Sequence, residues 1–182
     1  MAEVVPLVGL LPLPTLAYQL RMVLHVPGPL PGLNEILAAQ ISAAPLRRSG
    51  KRPNGYTDLK RRWAATIKTI AGAEQIKHVP PACFTYVWCE RDKRRDPSNF
   101  TAGGRKLIED ALQEAKLLDG DGWKHVLGFC DHWIVAPQRL GVCVIAADRL
   151  LEREEALELM TRQPPRYQRM QLPPALRPRA RR

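Results

Sequence analysis

From Phe84 to Lys124 the chain changes its hydrophobic period once, and that change constrains the fold more than any other feature. Phe84, Tyr86, Trp88 and Glu90 share one face of an extended segment, and Thr85, Val87 and Cys89 share the other. The strand delivers the chain to an arginine run and Asp96. A helix is predicted to start after Gly103-Gly104, with Leu107, Ile108, Ala111, Leu112 and Ala115 on its buried side. A helix of that length returns the chain to the rim it left, so the acidic groups at its two ends can converge on one site.

The remaining segments fit around this unit. Gln19 to Val26 has the β-branched and apolar content of a first strand, stopped by Pro27-Gly28-Pro29. A short helix is predicted around Asn34 to Ile41 inside an otherwise irregular, Pro- and Gly-containing stretch that runs to Gly55. Leu59, Trp63, Ile67 and Ile70 recur at helical spacing, with Lys60, Arg61, Arg62 and Lys68 elsewhere and Gly72 as the stop. Two strands, Lys124 to Val135 and Leu140 to Ala147, are separated by Ala136-Pro137-Gln138 and are expected to form an antiparallel hairpin. Asp148 is expected to cap a last helix reaching about Met160. The order β-α-β-α-β-β predicts an α+β fold, a small mixed sheet with helices packed on it.

With 182 residues, 45% of them hydrophobic, the chain suffices for one sizeable core and is short for two. The expected organisation is an apolar, proline-rich extension over 1–18, one domain over 19–147, a helix over 148–161, and a disordered Arg/Pro-rich basic tail over 162–182. The formal charge of +10 suggests a polyanionic partner, but it is uneven. Seven arginines and no acid lie from Arg162 onward, which leaves 21 basic against 18 acidic residues in the body. There the basic residues cluster: Arg47, Arg48, Lys51 and Arg52 in one loop, Lys60 to Arg62 on a helix, and Arg91, Lys93, Arg94 and Arg95 before Asp96. A charge run is often just a solvated face, and the last cluster is distinguished by the acids beside it.

Cys83, Cys89, Cys130 and Cys143 lack any Cys-x-x-Cys spacing and sit in apolar runs, so they read as reduced core thiols in a reducing cytoplasm. Zinc on His125, Cys130 and His132 is the sharper alternative, yet strand alternation puts His125 on the opposite face from the other two. The opening Met1 to Tyr18 has Glu3 where a signal peptide has a basic start, and three prolines interrupt it. No apolar run reaches the roughly 20 residues of a membrane span.

Asp96 and Asp121, with Asp119 and Asp110 as further candidates, are the hard oxygen donors that suit Mg²⁺ in a site left open to water and phosphate. Lys106, on the helix between them, is placed to stabilise charge that grows during in-line attack on a phosphodiester. The same residues also fit a structural role. Asp96 before Pro97 makes a good helix N-cap, and Asp119-Gly-Asp-Gly122 a good turn.

Arg95-Asp-Pro-Ser-Asn99, Ala102-Gly-Gly-Arg-Lys106, Asp110-Ala-Leu112 and Asp119-Gly-Asp-Gly-Trp-Lys124, preceded by Val26-Pro-Gly-Pro-Leu-Pro-Gly-Leu-Asn-Glu35, resemble the RusA family of Holliday-junction resolvases, in particular its phage and prophage branch. The likeness runs from about Leu20 to Ala147. It implies a small α/β homodimer in a bacterial or phage-infected cytoplasm that binds four-way DNA and nicks two strands symmetrically with Mg²⁺ or Mn²⁺. By it, Asp96 and Asp121 take metal-ligand positions and Lys106 takes the essential lysine; Asp119, a further candidate from its chemistry, is the metal ligand that would compensate for a missing carboxylate. Arg94, Arg95, Arg105, Lys124 and the loop of Arg47, Arg48, Lys51 and Arg52 are then the DNA contacts, holding phosphates without reading sequence. One departure stands out: the family often has Asp-x-Asp-Asn where this chain has Asp96-Pro97-Ser98-Asn99, so a hydroxyl replaces a carboxylate. A non-catalytic DNA-binding protein on the same fold is the alternative that Ser98 favours. A third reading, an RNA or ribosome contact made by the basic tail on an inert domain, leaves the acids beside the arginine run without a purpose. Trp63 and Trp88 lie on amphipathic elements and read as core rather than as base-stacking platforms.

Overall fold

The alternating segment is a strand with both faces buried, and everything else is arranged about it. The computed structural model describes residues 18–41 and 55–162. In chain order these form β1 (Leu20–Pro27), α1 (Leu33–Ile41), α2 (Gly55–Ala73), β2 (Ala82–Glu90), α3 (Pro97–Glu114), β3 (Val126–Val135), β4 (Gly141–Ala147) and α4 (Arg153–Arg162). The fold is mixed α+β: a four-stranded sheet in the order β1-β4-β2-β3, with helices packed on it. The N-terminal extension before Tyr18, the loop of Arg47, Arg48, Lys51 and Arg52, and the tail beyond Arg162 lie outside the described residues.

The two faces of β2 build two cores. Phe84, Tyr86 and Trp88 stack along one face, with ring centroids 6.4 and 6.0 Å apart, and meet Ile67 and Ile70 of α2 and Phe100, Ile108 and Leu112 of α3. Val87 and Cys89 face the other way, into a smaller cluster with Cys143 and Ile145 of β4 and Ala156, Leu159 and Met160 of α4. The sheet is therefore a middle layer between α2 with α3 and α4.

The expected hairpin does not form. β3 runs parallel to β2, while β4 lies antiparallel between β1 and β2. The link after β3 crosses the end of β2, where the Ala136 N–H donates to the Glu90 carbonyl at 2.8 Å, and a 3-10 turn at Pro137–Arg139 feeds β4. A link this short suits a hairpin equally well, so length does not decide; burial does. All seven residues of β4 are buried, as a central strand requires, whereas β3 alternates exposed with half-buried residues, as an edge strand does.

Two helix starts also differ from expectation. α3 begins at Pro97, eight residues earlier than a start after the Gly-Gly pair, because Asp96 caps it: the Asp96 Oδ1 accepts the Ser98 N–H at 2.9 Å and Pro97 fills the first turn. Gly103 and Gly104 lie inside the helix, where they permit close packing. A Cβ on Gly104 would stand 2.6 Å from the Trp88 ring, and one on Gly103 would stand 2.9 Å from the Leu33 nitrogen. α4 begins at Arg153 and is not capped by Asp148, whose side chain accepts from the Gln19 N–H at the start of β1. Glu155 instead reaches back to the Glu152 N–H at 3.0 Å, half of a capping box.

All four cysteines are free, with Cys89 and Cys143 buried, and burial pushes the Cys89 thiol up to about 11. Cys130 and His132 do share a face, Sγ to Nε2 at 3.9 Å, and His132 also meets the Leu151 carbonyl at 3.0 Å. Among the described residues, no helix is long and apolar enough to cross a membrane.

Candidate active site

α2 and α3 pack side by side on β2, and the polar groups along their seam meet the loop that leads into β3. Lys106 is the centre of that meeting. Its ammonium pairs with Asp121 Oδ2 and, at 3.0 Å, with Asp110 Oδ1 one helical turn on. Asp110 Oδ2 in turn accepts from the Tyr56 hydroxyl at 2.8 Å and lies 3.4 Å from Lys60 Nζ. Two acids and two lysines thus form a charge-balanced cluster. Asp110 is buried in it, whereas Lys106 is exposed.

The electrostatics follow from these contacts. The bond to Asp121 raises the Lys106 ammonium well above its ordinary range, with Asp110 adding to it against some loss from burial. The same bond holds the Asp121 carboxyl below the usual carboxylate range. Burial pushes the Tyr56 hydroxyl up to about 12, and its bond to Asp110 acts in the same direction. Lys106 is therefore a fixed positive charge and Asp121 a fixed negative one at any physiological pH. The Asp110 and Asp121 oxygens already share one cation, the Lys106 ammonium.

The structure brings Lys106, Asp121 and Asp110 together and leaves the other predicted acids elsewhere. Asp96 sits at the N-cap of α3, ten residues before Lys106 and about 15 Å away in helical rise. Asp119 pairs with His78 at 3.0 Å. Among the described residues, no three His, Cys, Asp or Glu side chains are grouped so as to hold a metal ion. The chemistry of the donors fits a hard divalent cation nonetheless, since Asp121 and Asp110 present oxygens to a single positive centre.

Much of the arginine-and-acid motif has a structural use. Arg95 donates to Glu90 Oε1 and to the Leu30 carbonyl, both at 2.8 Å, and its guanidinium lies over the Phe100 ring. Asn99 Oδ1 accepts the Asn34 N–H at 3.1 Å and so satisfies a donor at the start of α1. Arg105 pairs with Asp131 of β3 and stacks on Phe129, while Asp131 also accepts from Trp88 Nε1 at 2.8 Å. Arg95 and Arg105 are thus held inside the fold, whereas Lys124 is exposed and Arg94 is exposed with a long ion pair to Asp92 at 3.8 Å. Trp88 is core, and Trp63 packs against it.

Two contributors, Tyr56 and Trp123, were given no role from the sequence, and Lys60 was read only as part of a basic helix face. Tyr56 and Lys60 stand four residues apart at the start of α2, a helical i, i+4 pair that meets α3, and only the tertiary packing shows that both point at Asp110. Trp123, two residues after Asp121, is 95% exposed. An indole on the surface beside a charged cluster is unusual enough to have been noticed from its Gly-Trp-Lys setting.

No family model matches this chain, and no curated protein matches it.

Proposed function

We propose that this protein is a metal-dependent endodeoxyribonuclease that binds and symmetrically nicks four-way or other branched DNA, acting as a homodimer in a bacterial or phage-infected cytoplasm. The observation that carries the reading is the convergence of Lys106 on Asp121, fifteen residues later, with Asp110 completing the cluster. A lysine and acids at one surface point, with the exposed Lys124 three residues after Asp121, suit phosphoryl chemistry better than they suit a solvated face. The motif resemblance to RusA resolvases supplies the substrate class and the assignment of Asp96.

Mg²⁺ or Mn²⁺, when bound, supplies a water of lowered pKa and neutralises phosphate charge. Asp121, with Asp110 adjacent in space, is the carboxylate that would hold it; Asp96 and Asp119 belong to the ligand set by the motif resemblance and the sequence reading alone, and stand elsewhere in this fold. Lys106 offers its ammonium to phosphoryl oxygens as negative charge grows on them. Asp110, itself anchored by Tyr56 and Lys60, positions that ammonium. Trp123 is exposed where an unpaired base at a branch point can stack on it. Basic groups around the site hold phosphates without reading bases, which makes binding steeply salt-dependent.

A non-catalytic DNA-binding protein is the second reading, favoured by Ser98 in place of an acid and by Asp96 serving as a helix cap. One experiment separates the two. Pure protein is incubated with labelled four-way, three-way and linear DNA, with Mg²⁺ or with EDTA. Metal-dependent nicks confined to the branched substrates are expected; retention of every substrate uncut, with the junctions still bound, selects the second reading.

A further inference from the structure

β3 closes one side of the sheet and pairs, among the described residues, only with β2, so its outer edge carries unpaired backbone groups. Edge strands are normally blunted by charge, proline or irregularity, because such an edge is a template for another strand. The opposite edge, β1, has Arg21 near its start, a bulge there, and Pro27 at its end. β3, reading VLGFCDHWIV, has no lysine, arginine or proline, and its one register shift falls at its start, between Val126 and Gly128, with regular pairing from Gly128 to Val135. Its face on the α3 side is also unusually apolar: Leu127 is 57% exposed, Phe129 50%, Trp133 47% and Val135 50%.

These four residues are arranged symmetrically about Asp131, with two on each side at alternate positions. We infer that β3 pairs antiparallel with the β3 of a second copy, about a two-fold axis at Asp131, joining the two sheets into one. In that register Leu127 stands opposite Val135 of the other copy, and Phe129 opposite Trp133. A two-fold contact must match a surface to itself, and a stripe that reads the same from either end does so. The residue on the axis is acidic, which would ordinarily set like charges face to face. Asp131 is already paired with Arg105 and hydrogen-bonded by Trp88 Nε1, so each copy presents a neutralised centre.

Size agrees with a self-association surface. If a large side chain offers about 200 Å² in full, four half-exposed ones leave on the order of 400 Å² of apolar surface per copy, the size of patch that marks an interaction site. Pairing of the strand edges and contact with the flanking α3 surfaces extend this toward the roughly 800 Å² per partner of a stable interface. A polyanion has no use for such a stripe, whereas a second copy covers it and satisfies the open backbone at the same time.

This inference locates the homodimer contact of the proposed function, but it is tested without DNA or metal, so its failure and that of the nuclease reading are told apart. Sedimentation of the full chain over a dilution series from the high micromolar range is expected to show a dimer of the 20.5 kDa chain. Trp133→Lys and, separately, Val135→Lys should retain native circular dichroism. Trp133→Lys should weaken the dimer about thirtyfold or more, as loss of a central aromatic anchor does. The doubly substituted Leu127→Cys, Val135→Cys protein should form an intermolecular disulfide linking 127 to 135, identified by peptide mass. A wild-type monomer throughout the series overturns the inference. So does a dimer whose affinity is unchanged by both lysine substitutions, or one whose cysteines at 127 and 135 do not link.

Discussion

At the scale of single residues, Lys106 and Glu109 show opposite uses of a charge on one helix. Lys106 is exposed and surrounded by acids, so its charge is retained for work at the surface. Glu109 lies on the sheet side, accepts from the Tyr86 hydroxyl at 3.1 Å, and has its carboxyl raised by burial against the pull of that bond and of nearby cations. Because the folded state holds this proton more tightly than the unfolded chain, stability gained by protonation is lost as pH rises through the folded pKa. Glu109→Gln keeps an acceptor for Tyr86 without the buried charge. It should be at least as stable as wild type at neutral pH, with the difference shrinking toward the ordinary carboxylate range; urea unfolding at a series of pH values checks this. Trp123 makes the complementary case. With 95% of it exposed, Trp123→Ala should leave thermal unfolding unchanged and lower affinity for branched DNA about tenfold, with a smaller effect on linear duplex. Equal loss on both DNAs would make it a general surface contact.

At the scale of elements, the helix that carries the site depends on two glycines that do not end it. Gly104→Ala would drive a Cβ to 2.6 Å from the Trp88 ring, a rigid neighbour in the middle of the core. It should destabilise the protein by about 1–3 kcal/mol. Gly72→Ala, with nothing within 4 Å of the added methyl, should be neutral or stabilising by up to about 1 kcal/mol; thermal melts of both test the contrast. The Gly-Gly pair also shows where the sequence was hard to read. Period and face were legible for β2, α2 and the buried side of α3, because both depend on local alternation. The start of α3 was misplaced because a glycine that breaks a helix and one that admits a tryptophan look alike until the tryptophan is placed. The false hairpin has the same origin: a five-residue link suits adjacent strands, and the strand that slips between them is distant in sequence. Of the candidate site, Lys106 and Asp121 were both named from motif and spacing, as a phosphate-facing lysine and a metal ligand, and they meet as an ion pair, whereas Asp96 does not join them. Tyr56 and the turn of Lys60 toward Asp110 were not foreseen, because that approach is set by how α2 lies against α3.

At the scale of the whole molecule, the sheet of the described residues has one guarded edge and one open edge, and the charged cluster lies on the same side of the sheet as the apolar stripe of β3. A two-fold pairing through β3 gives each assembly two equivalent clusters, the symmetry that a four-way junction with two equivalent strands can use. The cluster either acts on DNA or merely holds the loop before β3 in place. The most direct measurement compares wild type with Asp121→Asn for Mg²⁺-dependent nicking and for equilibrium binding of the same four-way junction. Nicking should be abolished while affinity is unchanged or increased, because removing a carboxylate beside a bound phosphate relieves repulsion. Normal nicking by Asp121→Asn would contradict the account and return Lys106 and Asp121 to a structural ion pair.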